Sequence, residues 1–195
     1  METKKLEVPE VEFPKSESFK EIKPESDITP PDARKHIDGL FDSVESERND
    51  LAETLSDYIK DIKDKSDVPE TIPENPIDVA DLRKLSPEET APLREQFNNL
   101  DFKTELKRQW EETNGQEWPK YTEDVYITNA RGEQILIRKA GSDYDAHHIH
   151  PLSMGGKNEV NNLTPLRADV HFDHRGVHEP GSPFDQLNNI LGGAN

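Results

Sequence analysis

Six of the seven histidines fall within 32 consecutive residues, His147 to His178, and this crowding is the strongest constraint on what the chain can fold into. They stand as His147, His148, His150, His171, His174 and His178, with Gly155-Gly156 and Asn162-Leu163 between them. Neutral imidazole is the commonest protein ligand for zinc and related ions, and the usual general base near neutral pH, so the cluster points to a metal-assisted reaction. The chain has no cysteine. A disulfide framework and a thiolate metal site are therefore excluded, and any metal must be held by His, Asp, Glu or Asn.

The 195 residues are 31% hydrophobic and 33% charged, too polar for one core to fill the whole length. Charge is uneven: residues 1–100 carry 14 Lys/Arg against 26 Asp/Glu, and residues 101–195 carry 10 against 15. An acidic chain is a poor default partner for nucleic acid, whose nonspecific affinity comes from Lys and Arg at phosphates. A bound divalent cation reverses the local field, however, and Lys157, Arg167 and Arg175 lie beside the histidines. No stretch approaches the ~18 apolar residues of a membrane span and residues 1–12 lack a secretory apolar run, so no membrane partner is expected. Export, if it occurs, is expected by a route other than a classical signal peptide.

Residues 1–28 alternate Glu, Lys, Ser and Pro with isolated apolar residues and read as a disordered arm. From Thr29, apolar residues at helical spacing from Ile37 to Ile62 predict one amphipathic helix over 29–63. Its stripe is broad enough to need a partner: the C-terminal domain, a delivery partner, or a second copy. Residues 64–80, with Pro69, Pro73 and Pro76, read as a Pro-rich linker ahead of a domain over 81–195. Within that domain Ser86-Pro87-Glu88-Glu89 is a capping-box pattern opening a helix to about Asn98. A second helix is predicted from about Asp101 to Thr113, and a β-hairpin from Val125–Ile127 and Ile135–Ile137 around Asn129-Ala130-Arg131-Gly132.

The stretch 144–178 resembles the HNH endonuclease superfamily, also called the His-Me finger or ββα-metal fold, and most closely its colicin-type and bacterial polymorphic-toxin branches. The resemblance rests on His147-His148, Pro151, Gly155-Gly156, Asn162-Leu163, and His171 nine positions after Asn162. It implies an α+β fold: a C-terminal ββα-metal core preceded by helices, a hairpin and the long amphipathic helix. In that fold the histidine pair ends one strand, a Gly-rich loop leads to a second, and a helix supplies the remaining ligands. Neighbouring residues on a strand point to opposite faces, so the pair can divide its tasks. By resemblance His147 is a ligand, His148 the general base, Asn162 the residue that holds the loop, and His171 a second ligand. Colicin-type nucleases place the last ligand four residues further on, where this chain has Arg175. His174 is favoured as the third ligand, with His178 the second choice. Arg175 and Arg167 are candidates to clamp phosphate, and Lys157 and His150 to touch substrate.

What the resemblance implies is a metal-dependent endonuclease using one divalent ion (zinc, nickel, magnesium or manganese), DNA being favoured over RNA as substrate. It would be the toxic part of a bacterial effector, neutralised by an immunity protein and acting in the target-cell cytoplasm. Two alternatives stand beside it. One is an RNA-cleaving toxin of the same fold, the other a noncatalytic module stapled by zinc, since His-only sites can hold small domains together.

Overall fold

The computed structural model describes residues 30–129, 131–171 and 176–192, and of residues 30–37 the backbone alone. The expected arm over 1–28, together with His174 and Arg175, lies outside the described residues. The chain divides into two compact units, Met1–Leu40 and Phe41–Asn195, and the histidine-rich stretch belongs to the second.

Helix α1 (Pro30–Lys65) opens on two prolines, which suit a helix start because their missing N–H groups have no intrahelical partner there. Between Leu51 and Lys65 its apolar stripe turns inward: Leu55, Tyr58, Ile59 and Ile62 are buried with Ile149, Met154, Leu166, Val177 and Leu187. Residues 64–80, read from their prolines as a spacer, join the same cluster through buried Ile72 and Ile77. Pro69 opens one short 3₁₀ turn, Pro69–Thr71, and the Asp78 side chain caps a second, Val79–Asp81, so the segment is not an extended tether. Just beyond, Arg83 N and Leu85 N donate to the carbonyls of Met154 and Ser153 at 3.1 and 2.9 Å.

Helix α2 (Pro87–Asn98) begins with the capping box: Ser86 N donates to the Glu89 carboxylate, and Glu89 N to Ser86 Oγ. Helix α3 (Leu100–Asn114) is capped by the Asn99 side chain and stops at Gly115, whose φ of 66° is left-handed. Strands β1 (Val125–Thr128) and β2 (Gln134–Arg138) form the hairpin, its turn organised by Asn129 Oδ1 accepting from Arg131 N and Glu133 N.

The second sheet carries the histidine pair. Strand β3 (Asp145–His148) runs antiparallel to β4 (Leu163–Leu166), with His147 opposite Thr164 and His148 opposite Leu163. All four β4 residues are buried, because both faces are covered. Leu166 packs into the cluster with α1, while Leu163 and Ala146 pack with Leu106, Trp110 and Trp118 on the α3 side. The aromatic residues Trp110, Trp118 and Tyr121 are thus core. Between β3 and β4 the chain makes a tight loop in which a Cβ on Gly156 would lie 1.8 Å from the His150 carbonyl oxygen, a close approach only glycine permits. A single turn, α4 (Ala168–His171), and helix α5 (Pro183–Gly192) complete a mixed α+β fold with two small antiparallel sheets among the described residues.

Candidate active site

The pleat of β3 sends its two histidines different ways. His147 is 3% exposed and faces α1, where the Tyr58 hydroxyl lies 3.2 Å from its Nε2. Its other nitrogen, Nδ1, is 3.2 Å from Nε2 of His171 at the end of α4. Val177 N donates to Val170 O at 2.9 Å and folds the following turn back, so His178 arrives as the third ring, 5.3 and 5.1 Å from those of His147 and His171. One ligand nitrogen from each of the three lies within 4.8 Å of the others. Phe184 of α5 closes over His178 edge-on at 4.3 Å between centroids.

Burial keeps His147 and His178 uncharged. Desolvation, reinforced by the neighbouring imidazoles, holds His147 well below its usual pKa, and desolvation with the His171 charge brings His178 down to about 4. Neutral imidazoles present lone pairs, the form a metal binds. His171 Nδ1 stands 3.5 Å from Asp145 Oδ2, so a proton on Nδ1 turns toward the carboxylate and leaves the Nε2 lone pair facing His147. Burial raises the Asp145 carboxyl, but His171 and the Arg138 guanidinium, 2.6 Å away, more than offset this and leave it below the usual range.

The donor set fits a divalent metal. Two nitrogens on one ion at about 2.0–2.1 Å would be roughly 3.3 Å apart in a tetrahedral site, close to the separation of His147 and His171 here. Without an ion the same contact requires a proton between the rings. Tyr58 accommodates either state, since its hydroxyl can donate to His147 Nε2 or accept from it.

His148 faces the α2 side, half-buried, 4.3 Å ring to ring from Phe97. Its Nε2 lies 2.9 Å from Asn158 Oδ1. The Asn158 amide nitrogen donates to Leu93 O and Gln96 Oε1, each at 2.9 Å, so Oδ1 is the acceptor and His148 Nε2 carries the proton. Nδ1 is left with the lone pair. Desolvation by burial, with Lys103, His171 and Arg94 nearby, lowers His148 to about 4 against the opposing Asn158 hydrogen bond, so it is neutral at pH 7.

Asn162 holds the loop and not the ring. Its Oδ1 accepts from His150 N at 2.6 Å, and its amide donates to His150 O and Lys157 O at 3.0 and 2.8 Å.

His147, His148, His171 and His178 line one cleft of about 280 Å³, with Arg94, Phe97, Leu152 and Phe184 among its walls. Of the residues expected at substrate, the described ones, His150, Lys157 and Arg167, do not line it. His150 lies 2.8 Å from the Met154 carbonyl and, with Lys157 and Asn162, lines a separate polar cavity. Arg167 pairs with Asp169 at 3.0 Å and stacks near Tyr121 and Tyr144. Sequence reasoning had singled out none of Tyr58, Arg94, Asp145 and Asn158. Tyr58 sits on an amphipathic stripe, which carries no mark separating a core tyrosine from a site tyrosine. Asn158 lies in the polar Lys-Asn-Glu stretch before Asn162, where only its polarity and place were visible.

Among proteins of known description, the chain is similar to one named Toxin YxiD from Bacillus subtilis (strain 168), with 35% identity over 144 residues that cover 70% of this chain and 24% of that protein. The chain thus spans about a quarter of the length of the curated relative it matches. No family model matches it, and no solved structure does. Among the described residues no helix is long and apolar enough to cross a membrane.

Proposed function

We propose that this chain is a metal-dependent endonuclease of the HNH type, the toxic portion of a larger bacterial toxin, cleaving DNA in preference to RNA. The observation that carries the reading is the division of labour on β3: His147 joins His171 and His178 in a three-nitrogen cluster, while His148, next in sequence, lines the same cleft with its Nε2 engaged by Asn158. Similarity to a protein named as a toxin supports the toxin role.

In this reading His147, His171 and His178 hold one divalent ion, which would stabilise charge on the phosphate and its leaving oxygen. His148 Nδ1 takes the proton from the attacking water, and Asn158 keeps the ring in the tautomer that allows it. Asn162 locks the β3–β4 loop and so the direction in which the pair points. Phe97 and Phe184 wall the cleft and limit water around the reacting groups. Three imidazoles suit zinc or nickel better than a magnesium site built from oxygens. An immunity protein that blocks the cleft is the partner expected of such a toxin.

The test is incubation of the purified full chain with plasmid DNA and with structured RNA, supplied in turn with zinc, nickel, manganese or magnesium, with and without chelator. Cleavage that chelator abolishes, and that His148→Ala reduces by about 10² to 10⁴ without loss of metal affinity, is the expected outcome. Tight zinc binding with no cleavage of either nucleic acid would transfer the site to the zinc-stapled module.

A further inference from the structure

We infer that Arg94 is the residue that grips a phosphate of the nucleic-acid strand at the histidine cleft, an inference that rests on the nuclease reading above. With 41 Asp and Glu against 24 Lys and Arg, the chain has no general attraction for a polyanion, so a local cation must supply the contact. Among the described residues, the cations nearest the histidines in sequence are committed elsewhere: Arg167 to Asp169, Lys157 to the second cavity and within 4.0 Å of Glu159; Arg175 lies outside the described residues. Arg138 is held by Asp145 and Lys107 by Asp143. Lys103 is part-buried, with Nζ 4.6 Å above the Phe97 ring.

Arg94 differs from all of them. Among the described residues it is the one Lys or Arg that lines the cleft, and it is exposed, on the same wall as Phe97 and Asn98. Its helical neighbours three and four positions away are Thr90, Ala91, Phe97 and Asn98, none of them acidic. It makes no ion pair or hydrogen bond with another described residue, although acidic side chains outnumber basic ones throughout the chain. Phe97, one turn on, packs against the His148 ring at 4.3 Å, so α2 places the guanidinium on the wall that flanks the general base. A planar guanidinium on a long side chain matches two phosphate oxygens at once, and with no carboxylate to leave it can turn to meet them. Of the two arginines expected at phosphate from the sequence, Arg167 is outside this wall and Arg175 lies outside the described residues.

The experiment measures binding of a fluorescein-labelled DNA duplex by anisotropy across a salt series, using the zinc-loaded 195-residue chain with His148→Ala so that the strand survives. That parent is compared with the same protein carrying R94A or R94K. R94A is expected to weaken binding about ten-fold and to make the slope of log affinity against log salt shallower by about 0.9, the value of one lost phosphate contact. R94K is expected to restore the slope, since the charge returns, but not the full affinity. Calorimetric zinc affinity unchanged in both would show an intact site. Equal affinity and equal slope in parent and R94A would overturn the role of Arg94 while leaving the nuclease reading standing. Failure of the parent itself to bind the duplex would overturn both.

Discussion

Asn158 and Asn162 carry the same side chain four residues apart and serve different neighbours. Asn162 is wholly engaged by backbone, at His150 and Lys157, and its effect on the site passes through the loop. Asn158 is locked by Leu93 and Gln96 so that its oxygen meets His148, and its effect passes through the imidazole. Asn158→Ala is therefore expected to cost on the order of 10² in cleavage rate, through loss of the required tautomer, with metal affinity unchanged by calorimetry. Tyr58 is the mirror case. It touches His147 and not His148, and its burial, aided by Asp61, pushes its hydroxyl far above the usual phenol range, so it acts as a neutral partner. Tyr58→Phe keeps the packing and removes one oxygen. It should weaken zinc binding about 10- to 100-fold, as outer partners of ligand histidines typically do. If Asn158→Ala lost metal affinity while Tyr58→Phe kept it, the assignment of the two nitrogens of the pair would be wrong.

Helix α1 changes character along its length. Phe41 and Val44 are exposed, whereas Tyr58 and Ile62 are completely buried in the cluster behind β3 and β4. A helix that covers one face of a two-stranded sheet is part of its fold, because two strands alone rarely bury enough surface to stand in water. Ile62→Ala is expected to destabilise the protein by about 2–5 kcal/mol, measured by urea unfolding. By the same logic a chain beginning near Ala80 would lack Leu55, Tyr58, Ile59, Ile62, Ile72 and Ile77 of that cluster, and should not yield a folded zinc-binding protein. A soluble, zinc-binding product of that truncation would show that α1 is an accessory and that 64–80 is a tether.

At the scale of the molecule, a chain of net charge −17 carries a small cluster of imidazoles. The folded protein holds His148 and His178 at about 4 and His147 well below 6.5, whereas an unfolded chain protonates them near 6.5. Between those values the unfolded state binds more protons, so the stability of the metal-free protein is fully present above about pH 6.5 and is lost as pH falls toward 4. Between pH 7 and 5 most carboxylates stay ionised, so the histidines dominate the change there. Midpoints of thermal unfolding in chelator should fall steadily over that interval, and His148→Ala should flatten the fall. A midpoint independent of pH from 7 to 5 would mean that the rings are more hydrated than their burial implies.

Much of this was legible in the residues themselves. The capping box at Ser86, the stop at Gly115, the hairpin around Gly132 and the helical stripe from Leu51 to Ile62 are local, and local chemistry writes them into neighbouring positions. The same holds for the alternation that parts His147 from His148. What only the tertiary structure decided are the partners. His178 reaches His147 because Val177 is drawn back onto Val170, which spacing from His171 does not reveal. Tyr58 and His147 are 89 residues apart and meet because a hydrophobic face needs covering. The prolines of 64–80 mark irregular backbone, but whether such backbone spans solvent or packs depends on where Ile72 and Ile77 find apolar surface. Periodicity and caps are set by residues a few positions apart, whereas a site is set by which faces come together, and that is settled by the burial of the whole chain at once.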